Sequence, residues 1–394
     1  MRLLFDLMAT QPIGGSGFHG AGEYAAAVFE RLVRELSGSV DLVCAVRRGS
    51  PLPRRVADIL GGASSETIEV PGYGGLPGAA AGAGIDRLYS ALPYLFGEGE
   101  FEGIEVVCTV HGLRPIETPT DEFERAFASS ARDLMKCLFK RVFAGAYVSM
   151  KKREFEGMLR TASGLTVIVP SEYTKASLES NFPRARPRGG IHVIPSPQSP
   201  PPAPADAGIL ETLGLAERRF FLVTRADRWV KNPLRAVRAL DRFFAGLGET
   251  GLKALVLGRA DGGIFGPLEQ RERFVFNGYV ERDVLELLYS TALCFVFPTL
   301  DEGFGYPPIE CMRYGTPVIC SSATSVPEVC GDAPLYFDPR SIEGIEKALR
   351  RVAGDAGLRE RMAGRGLSRA AEVTAAQERG LERIVDLILG EGER

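Results

Sequence analysis

Short apolar runs alternate with helical patterns along most of this chain, and the alternation occurs in two separate series. This order of elements is typical of parallel sheets whose strands are joined by crossover helices. In the first half, the runs predict strands over Arg2–Ala9, Val40–Val46, Glu105–Val110, Leu165–Val169 and Ile191–Ile194. In the second half, they predict strands over Arg219–Thr224, Lys253–Leu257, Phe274–Phe276, Leu293–Phe297 and Pro317–Cys320. The sequence therefore predicts an α/β protein with two doubly wound parallel sheets.

A proline-rich segment over residues 195–204 separates the two series. Proline lacks an amide donor and fixes the backbone, so this segment cannot form core secondary structure. We predict four regions: a Rossmann-like domain over 1–195, a linker over 196–208, a second Rossmann-like domain over 209–375, and a C-terminal helix over 376–394 that packs back toward the first domain. The glycine- and alanine-rich stretch Pro71–Gly84 predicts a mobile loop.

Composition narrows the class of protein. The chain has 47 basic and 50 acidic residues, a balance that argues against a protein that binds nucleic acid through its charge. Its seven cysteines are an odd number without Cys-x-x-Cys pairs, which fits free thiols in a reducing compartment. Asp6 interrupts the apolar N-terminus, and no apolar run reaches about 18 residues, so neither a signal peptide nor a membrane span is predicted. We expect a cytoplasmic protein.

The segment over residues 299–310 reads TLDEGFGYPPIE and places two glutamates eight positions apart. It follows a predicted strand, turns through Gly303 and Gly305, and enters a helix whose first turn tolerates proline. The turn is expected to expose backbone amides at the start of the helix, where anions bind. Glu302 in the loop and Glu310 in the helix can then reach different ends of one ligand. The alternative is an ordinary strand-to-helix turn with a solvated acid.

Two cations follow the first strand of the second series. Arg225 and Lys231 lie six positions apart in the sequence TRADRWVKN over residues 224–232. Fixed cations at the carboxyl end of a strand can bind a diphosphate and stabilise the charge that forms as it departs. We predict Arg228, which lies between them, to be a solvated loop cation, and Trp229 to be a packing residue.

In the first half, His111 stands at the end of a predicted strand, in the sequence TVHG over residues 109–112. The carboxyl end of a parallel strand is where such folds bind ligands. A structural histidine that is hydrogen-bonded within the fold is the alternative.

A glycine-rich loop over residues 14–23 precedes the first helix, and glycine allows the backbone to approach a phosphate closely. Gly15, Gly17 and Gly20 match the dinucleotide fingerprint weakly, because no acidic residue closes the next strand. His19 is expected to be a loop residue.

Several of these segments together resemble retaining glycosyltransferases of family four, which have the GT-B fold. Residues 302–310 are similar to the E-x7-E motif of that family, and the segments over 315–319 and 325–333 also resemble it in order. The likeness is strongest over residues 220–340. It implies two Rossmann-like domains that face each other across a cleft.

The resemblance also implies roles for individual residues. Glu302 would contact hydroxyls of the donor sugar, Glu310 the ribose, and the amides of Gly303, Phe304 and Gly305 the sugar and phosphate. Arg225 and Lys231 would bind the diphosphate, and His111 would contact the sugar near the reacting carbon. Gly20 and Gly22 would approach the diphosphate or the acceptor, and the segment that contains Tyr279 would read the nucleobase. Gly112 stands where much of the family has aspartate. Any role that the aspartate has in the family is therefore not expected in this chain.

The expected reaction is therefore transfer of a sugar from a nucleoside diphosphate sugar to a hydroxyl of a saccharide or lipid-linked acceptor. The donor is GDP- or UDP-linked, with a lean toward a mannose-like sugar from the Pro327–Val329 region. No Asp-x-Asp sequence or metal-ligand spacing occurs, so no metal and no cofactor are expected. The alternatives are a silent sugar-nucleotide-binding regulator and a related enzyme that uses phosphate or water as acceptor. The oligomeric state stays open.

One further segment, from Lys136 to Arg153, has six basic residues and no acid, with apolar residues at helical spacing. One interpretation is an amphipathic helix packed on the first domain. The other is peripheral contact with anionic lipid headgroups at the inner face of the membrane.

Overall fold

The chain divides into two units, each built around one parallel sheet, in a computed structural model that describes residues 1–12, 20–36, 38–93, 96, 100–162, 164–248 and 250–391. The first unit comprises Met1–Leu113, Val148–Ser199 and Ala375–Arg394. The second unit comprises Arg114–Tyr147 and Pro200–Thr374.

The strands run in chain order from β1 to β13. Those of the first sheet are β1 (Arg2–Asp6), β2 (Asp41–Arg47), β3 (Ser65–Val70), β4 (Arg87–Ser90), β5 (Glu105–Thr109), β6 (Gly164–Val169) and β7 (Ile191–Val193). Those of the second sheet are β8 (Phe220–Val223), β9 (Lys253–Leu257), β10 (Phe274–Asn277), β11 (Cys294–Phe297), β12 (Val318–Ser321) and β13 (Leu335–Phe337).

The helices lie mainly between the strands, as crossover connections require. They are α1 (Gly20–Glu35), α2 (Arg54–Gly62), α3 (Leu76–Gly82), α4 (Arg114–Glu117), α5 (Ala131–Val142), α6 (Ala144–Met158), α7 (Glu172–Asn181), α8 (Gly208–Thr212), α9 (Pro233–Ala245), α10 (Arg282–Thr291), α11 (Tyr306–Met312), α12 (Val326–Cys330), α13 (Ile342–Gly354) and α14 (Ala356–Leu389).

Both sheets are doubly wound. The first has the order β3-β2-β1-β4-β5-β6-β7 and the second β10-β9-β8-β11-β12-β13, and the paired strands are parallel throughout the described residues. Each sheet therefore reverses its direction of growth once, between β1 and β4 in the first and between β8 and β11 in the second. The predicted α/β class with two Rossmann-like sheets is confirmed.

All ten predicted strands form, with ends that differ by a few residues. The largest difference is in β1, which ends at Asp6 instead of Ala9 because the Asp6 carboxylate accepts the amide of Met8 and starts a 3₁₀ turn. The prediction did not include β3, β4 and β13. Two of these are edge strands, and β4 has only four residues, so their apolar runs are short.

The predicted mobile loop over Pro71–Gly84 is wrong, because Leu76–Gly82 form helix α3. Pro77 lies in its first turn, where a missing amide donor is tolerated. Leu76 and Ala80 are fully buried one turn apart, so packing stabilises the alanine-rich helix.

The boundaries of the two units differ from the predicted domains in one segment. Residues 114–147 belong to the second unit instead of the domain predicted over 1–195. Arg235 on α9 holds this segment through two hydrogen bonds of 3.1 and 3.0 Å to the Asp121 carboxylate, and both side chains are buried. A sequence pattern gives no sign of such a long-range pair.

The last part of the C-terminal helix α14 packs in the first unit. Residues of α14 from Ala375 onward belong to the first unit, where Ile384, Val385, Leu387 and Ile388 join the core around Phe5 and Phe29. Among the described helices, none combines the length and hydrophobicity that are needed to span a membrane.

Candidate functional site

The point at which the second sheet reverses its direction of growth positions most of the predicted site residues. Two loops leave neighbouring strands there, one after β8 over residues 224–232 and one after β11 over residues 298–305. Open parallel sheets bind ligands at the carboxyl ends of strands at such a switch point. The topology alone therefore indicates that these two loops border a ligand site.

Lys231 and Glu302, one from each loop, form an ion pair between Nζ and Oε1. Their side chains are 14% and 13% exposed. The hydroxyl of Thr299 also donates to Oε1 of Glu302, at 2.9 Å. Burial lowers the pKa of Lys231, and the charge of Glu302 partly offsets this effect. The site thus holds a poorly hydrated ammonium group. Any further anion nearby would stabilise its charged form.

Backbone and side-chain hydrogen bonds fix the two loops to each other. The amide of Leu300 donates to the carbonyl of Val230 at 2.8 Å. The buried Asn232 has a left-handed backbone (φ +59°) and donates its side-chain amide to the carbonyls of Pro298, at 2.9 Å, and Pro339, at 2.7 Å. Asparagine tolerates this conformation better than most residues. Sequence reasoning missed Asn232, although its position just before a proline-started helix was a signal.

The loop that follows β12 holds the backbone around Glu302. Thr324 accepts the amide of Glu302 at 3.1 Å, and its own backbone is left-handed (φ +55°), which is rare for a β-branched residue. The hydroxyl of the fully buried Ser325 lies 2.9 Å from the carbonyl of Glu302 and 3.1 Å from that of Phe304. Thr324 and Ser325 thus hold the backbone of the glutamate loop in place.

Further arginines surround the ion pair. Arg225 has a left-handed backbone (φ +60°), and its Nε lies 3.4 Å from Oδ1 of Asp227. Burial lowers the pKa of Arg228, and the charges of Arg114 and Arg225 lower it further. Arg228 was predicted to be a solvated loop cation, but it is half-buried among these charges. The described residues thus gather Arg225, Arg228 and Lys231 on one loop.

Gly258, at the end of β9, is a site residue that sequence reasoning missed. Its φ is +111°, and a Cβ there would lie 2.8 Å from the amide nitrogen of Ala226 and 2.9 Å from that of Asp227. Glycine is therefore required where β9 approaches the loop that carries Arg225.

Glu310 lies on α11 in a buried charge network that was also not anticipated. Arg282 of α10 donates from Nη2 to Glu310 at 2.8 Å and lies 2.7 Å, through Nε, from Glu286. Burial opposes ionisation of Arg282, but the charges of Glu310 and Glu286 raise its pKa above the ordinary value. Tyr314 donates to the second oxygen of Glu286 at 2.8 Å. One arginine thus neutralises two buried carboxylates.

The remaining residues predicted in this unit lie near the same sheet edge. Gly305 has a left-handed backbone (φ +99°) and precedes α11, and Phe304 is buried against Tyr306 with ring centroids 5.3 Å apart. Gly303 is half-buried in the same turn. Tyr279 follows β10 and is 68% exposed.

Asp301 is a buried acid beside Glu302. Thr118, from the segment that joins the second unit, donates to its carboxylate at 3.1 Å. Burial raises the pKa of Asp301 to about 7, and the charge of Glu117 contributes to the rise. Its protonation therefore changes near neutral pH.

His111 belongs to the first unit and follows β5. The ring of Tyr24 meets it edge-on, with centroids 4.9 Å apart, and the Tyr24 hydroxyl lies 2.9 Å from Oγ1 of Thr109. Gly20 is the first residue of α1, the helix that also carries Gly22 and Tyr24. The other glycines of the predicted loop, and His19, lie outside the described residues. Helix α1 thus brings Gly20 and Gly22 into the neighbourhood of His111 through Tyr24.

The structure therefore sorts the predicted residues into separate groups. Arg225, Lys231 and Glu302 lie together on two joined loops, and Glu310 lies beyond them on α11. His111, Gly20 and Gly22 form a group in the other unit.

The chain is similar to known proteins in sequence and in fold. Residues 216–369 match a family model described as Glycosyl transferases group 1. Over 95 residues, the chain is 43% identical to the O-antigen chain mannosyltransferase B of Escherichia coli, a match that spans 24% of this chain and 25% of that protein.

Two solved structures share the fold over nearly their whole length. Sucrose-phosphate synthase from Thermosynechococcus elongatus has a TM-score of 0.68 at 15% identity, with 99% of each chain covered. Anabaena HepE, in complex with UDP and glucose, has a TM-score of 0.64 at 14% identity, with 98% of this chain and 99% of that chain covered. The sequence match, by contrast, is confined to a quarter of the curated relative. Together, the comparisons show a likeness to glycosyltransferases over residues 216–369 and the fold of these solved structures over nearly the whole chain.

Proposed function

We propose that this protein transfers a sugar from a nucleoside diphosphate sugar to a hydroxyl of a saccharide or lipid-linked acceptor, with retention of the anomeric configuration. The observation that carries the proposal is the Lys231–Glu302 pair on two joined loops at the switch point of the second sheet. A buried ammonium group beside a buried carboxylate suits a ligand that presents a diphosphate next to a hydroxylated ring.

In this proposal, the cations act on the leaving group. Negative charge develops on the diphosphate as the bond to the sugar breaks, and cations fixed in a poorly hydrated site stabilise that charge without reorganisation. Lys231 has lost part of its hydration, because it is 14% exposed, and Arg225 and Arg228 are on the same loop. These residues would lower the barrier to departure without a metal ion.

Glu302 has a different role. Its carboxylate can accept hydrogen bonds from sugar hydroxyls, while Thr324 and Ser325 hold its backbone in position. In the front-face mechanism that we propose, no enzyme carboxylate attacks the anomeric carbon. An oxygen of the departing phosphate takes the acceptor proton, and the acceptor oxygen bonds to the face that the phosphate leaves. The bond to the phosphate breaks as the bond to the acceptor forms, so the configuration is retained.

Glu310 suits the ribose hydroxyls, since carboxylate oxygens accept hydrogen bonds and the ion pair with Arg282 fixes this side chain in place. We propose a GDP- or UDP-linked donor with a mannose-like sugar. The name of the Escherichia coli relative supports mannose. The Anabaena complex with UDP and glucose supports a nucleoside diphosphate and a sugar as ligands of this fold and leaves uridine as the alternative base.

The test combines binding and product analysis. Thermal unfolding is measured with GDP, UDP and ADP, and then with the mannose and glucose derivatives of the base that binds. We expect one base to raise the unfolding temperature of the wild type, and Glu310→Gln to reduce this shift. Glu343→Gln, at an exposed position of α13, serves as the matched control.

The product of any transfer is then examined by NMR. The proposal expects the anomeric configuration of the donor in the product. An inverted centre would contradict the retaining mechanism, and no stabilisation by any nucleotide would contradict the proposed donor class.

A further inference from the structure

Helix α5 and the adjoining Phe143 expose an unusual amount of apolar surface. Six large apolar side chains are between 42% and 70% exposed: Leu134, Met135, Leu138, Phe139, Val142 and Phe143. None of the twelve residues of α5, all of which the structure describes, is buried. Scattered apolar residues are normal on a protein surface, but a contiguous patch marks an interaction site.

These side chains share one face of the helix. Leu134, Leu138 and Val142 follow each other at intervals of four, and Met135 and Phe139 form a second row beside them. The rings of Phe139 and Phe143 extend the face past the end of the helix, with centroids 5.3 Å apart. The apolar surface is therefore one continuous strip.

The opposite face of α5 packs against its own unit through a polar side chain. Lys140 is 17% exposed and forms an ion pair with Glu124, whose side chain is 5% exposed. The Lys140 ammonium group also lies 5.8 Å from the centroid of the Trp229 ring. A surface helix of a soluble protein normally has the reverse arrangement, with its apolar face inward. The apolar strip is thus exposed because Lys140, on the opposite face of α5, holds the helix to its unit.

Basic residues border the strip on both sides. Arg132 and Lys136 flank one edge and Arg141 the other, as helical geometry places them, and all three are exposed. The helix carries four basic residues against a single acid, Asp133. An apolar strip between basic edges complements a bilayer that contains anionic lipids, since acyl chains accept the strip and headgroups accept the charges.

We propose that α5 and Phe143 form a docking surface for the interface of an anionic lipid bilayer. A second copy of the chain fits the same surface poorly, because self-association would bring the basic edges together. The segment also differs from the single helix expected over 136–153, because Phe143 separates α5 from α6 and the strip begins before residue 136. The proposal does not depend on the proposed transferase activity.

The test uses flotation of the full-length protein with vesicles of phosphatidylcholine that contain about 30% phosphatidylglycerol, chosen because charge attraction at that content is strong. We expect wild-type protein to float with these vesicles, and to float much less with pure phosphatidylcholine or at high salt. The triple variant Met135→Gln/Leu138→Gln/Val142→Gln should bind at least tenfold more weakly. Arg132→Gln/Lys136→Gln/Arg141→Gln should lose the preference for anionic vesicles.

Two matched controls lie on α14. Leu367→Gln changes one exposed apolar residue, and Arg361→Gln/Arg365→Gln removes two exposed cations. Both should bind vesicles as the wild type does. All substituted side chains are exposed, and thermal unfolding of each variant verifies that the fold is intact.

Three results would overturn the proposal. The first is absence of wild-type binding to anionic vesicles at low salt. The second is equal binding by wild type and the apolar triple variant. The third is a dimer in sedimentation velocity that the apolar triple substitution abolishes, since a second copy would then be the occupant.

Discussion

Lys231 and Glu302 form a largely buried ion pair between the loop that follows β8 and the loop that follows β11. Each residue depends on the other, because a buried charge without its partner is costly. The pair therefore has a structural role in addition to the proposed catalytic one, and experiments must separate the two.

We expect Glu302→Gln to lower the rate of transfer by about 100-fold or more, the usual scale for loss of one fixed electrostatic group in an active site. The amide keeps the size of the side chain and its hydrogen bond from Thr299 but leaves Lys231 without its partner charge, so thermal unfolding verifies that the variant is folded. Steady-state transfer and donor hydrolysis are measured, with Glu343→Gln as control. Near wild-type rates in folded Glu302→Gln or Lys231→Ala would refute the assigned roles.

Arg282 offers a test of the network around Glu310. Arg282→Met leaves two buried carboxylates without their cation, so we expect a loss of about 3–5 kcal/mol in the free energy of unfolding. Glu310→Gln should cost less, because Arg282 retains Glu286. In urea denaturation, the double variant Arg282→Met/Glu310→Gln should be more stable than Arg282→Met alone. Strict additivity of the two single effects would show that the residues are not coupled.

Asp301 predicts a pH dependence of stability. Its pKa is raised from 3.8 to about 7, so the folded state holds a proton that the unfolded state has released over this interval. The stability that Asp301 contributes is complete below pH 4 and is lost as the pH rises through 7. Relative to Asp301→Asn, the wild type should lose up to about 1.4 kcal/mol of unfolding free energy per pH unit within this window.

Urea denaturation at several pH values measures this difference. Asp261→Asn, at an exposed position, should give a curve parallel to that of the wild type. Parallel curves for Asp301→Asn as well would contradict the prediction.

The ion pair between Asp121 and Arg235 is expected to hold the segment 114–147 to the rest of the second unit. Asp121→Asn should lower the free energy of unfolding by about 3 kcal/mol, because Arg235 is left buried without full charge compensation. Limited proteolysis should then cleave near residues 121–130 faster. Arg238→Ala is the control, since Arg238 is exposed on the same helix and lies over the Phe123 ring. Unchanged stability of Asp121→Asn would mean that other contacts hold the segment.

His111 is tested independently of the second unit. If it contacts the donor sugar, His111→Ala should reduce the rate of transfer while nucleotide affinity, measured by calorimetry, stays close to that of the wild type. Tyr24→Phe keeps the ring that packs against His111 and removes the hydroxyl near Thr109, so it should cost only about 1 kcal/mol of stability. Equal loss of nucleotide binding and transfer in His111→Ala would favour a structural histidine.

The sequence predicted the parts of this fold that depend on local pattern. Alternating apolar runs located ten strands. The positions of Lys231 and Glu302 in loops that follow strands were predicted as well. These features depend on periodicity and strand order, which a single sequence displays.

Other features depend on contacts between distant residues and left no local signal. The pairs Arg282–Glu310 and Arg235–Asp121 join separate elements, and nothing in their own segments distinguishes them from surface charges. The membership of 114–147 in the second unit follows from such pairs. The amphipathic pattern of α5 could be predicted from the sequence. The outward orientation of its apolar strip could not, because it depends on the ion pair between Lys140 and Glu124.

The left-handed backbones of Arg225 and Thr324 have one further consequence. Each conformation is sparsely populated by residues other than glycine and costs on the order of 1–3 kcal/mol, yet both support the loops around Glu302. Glycine at either position would relieve the torsional strain and also remove the guanidinium group or the hydroxyl. Stability and activity should therefore move in opposite directions at these two residues, and a search for thermostable variants would tend to select against the function of the site.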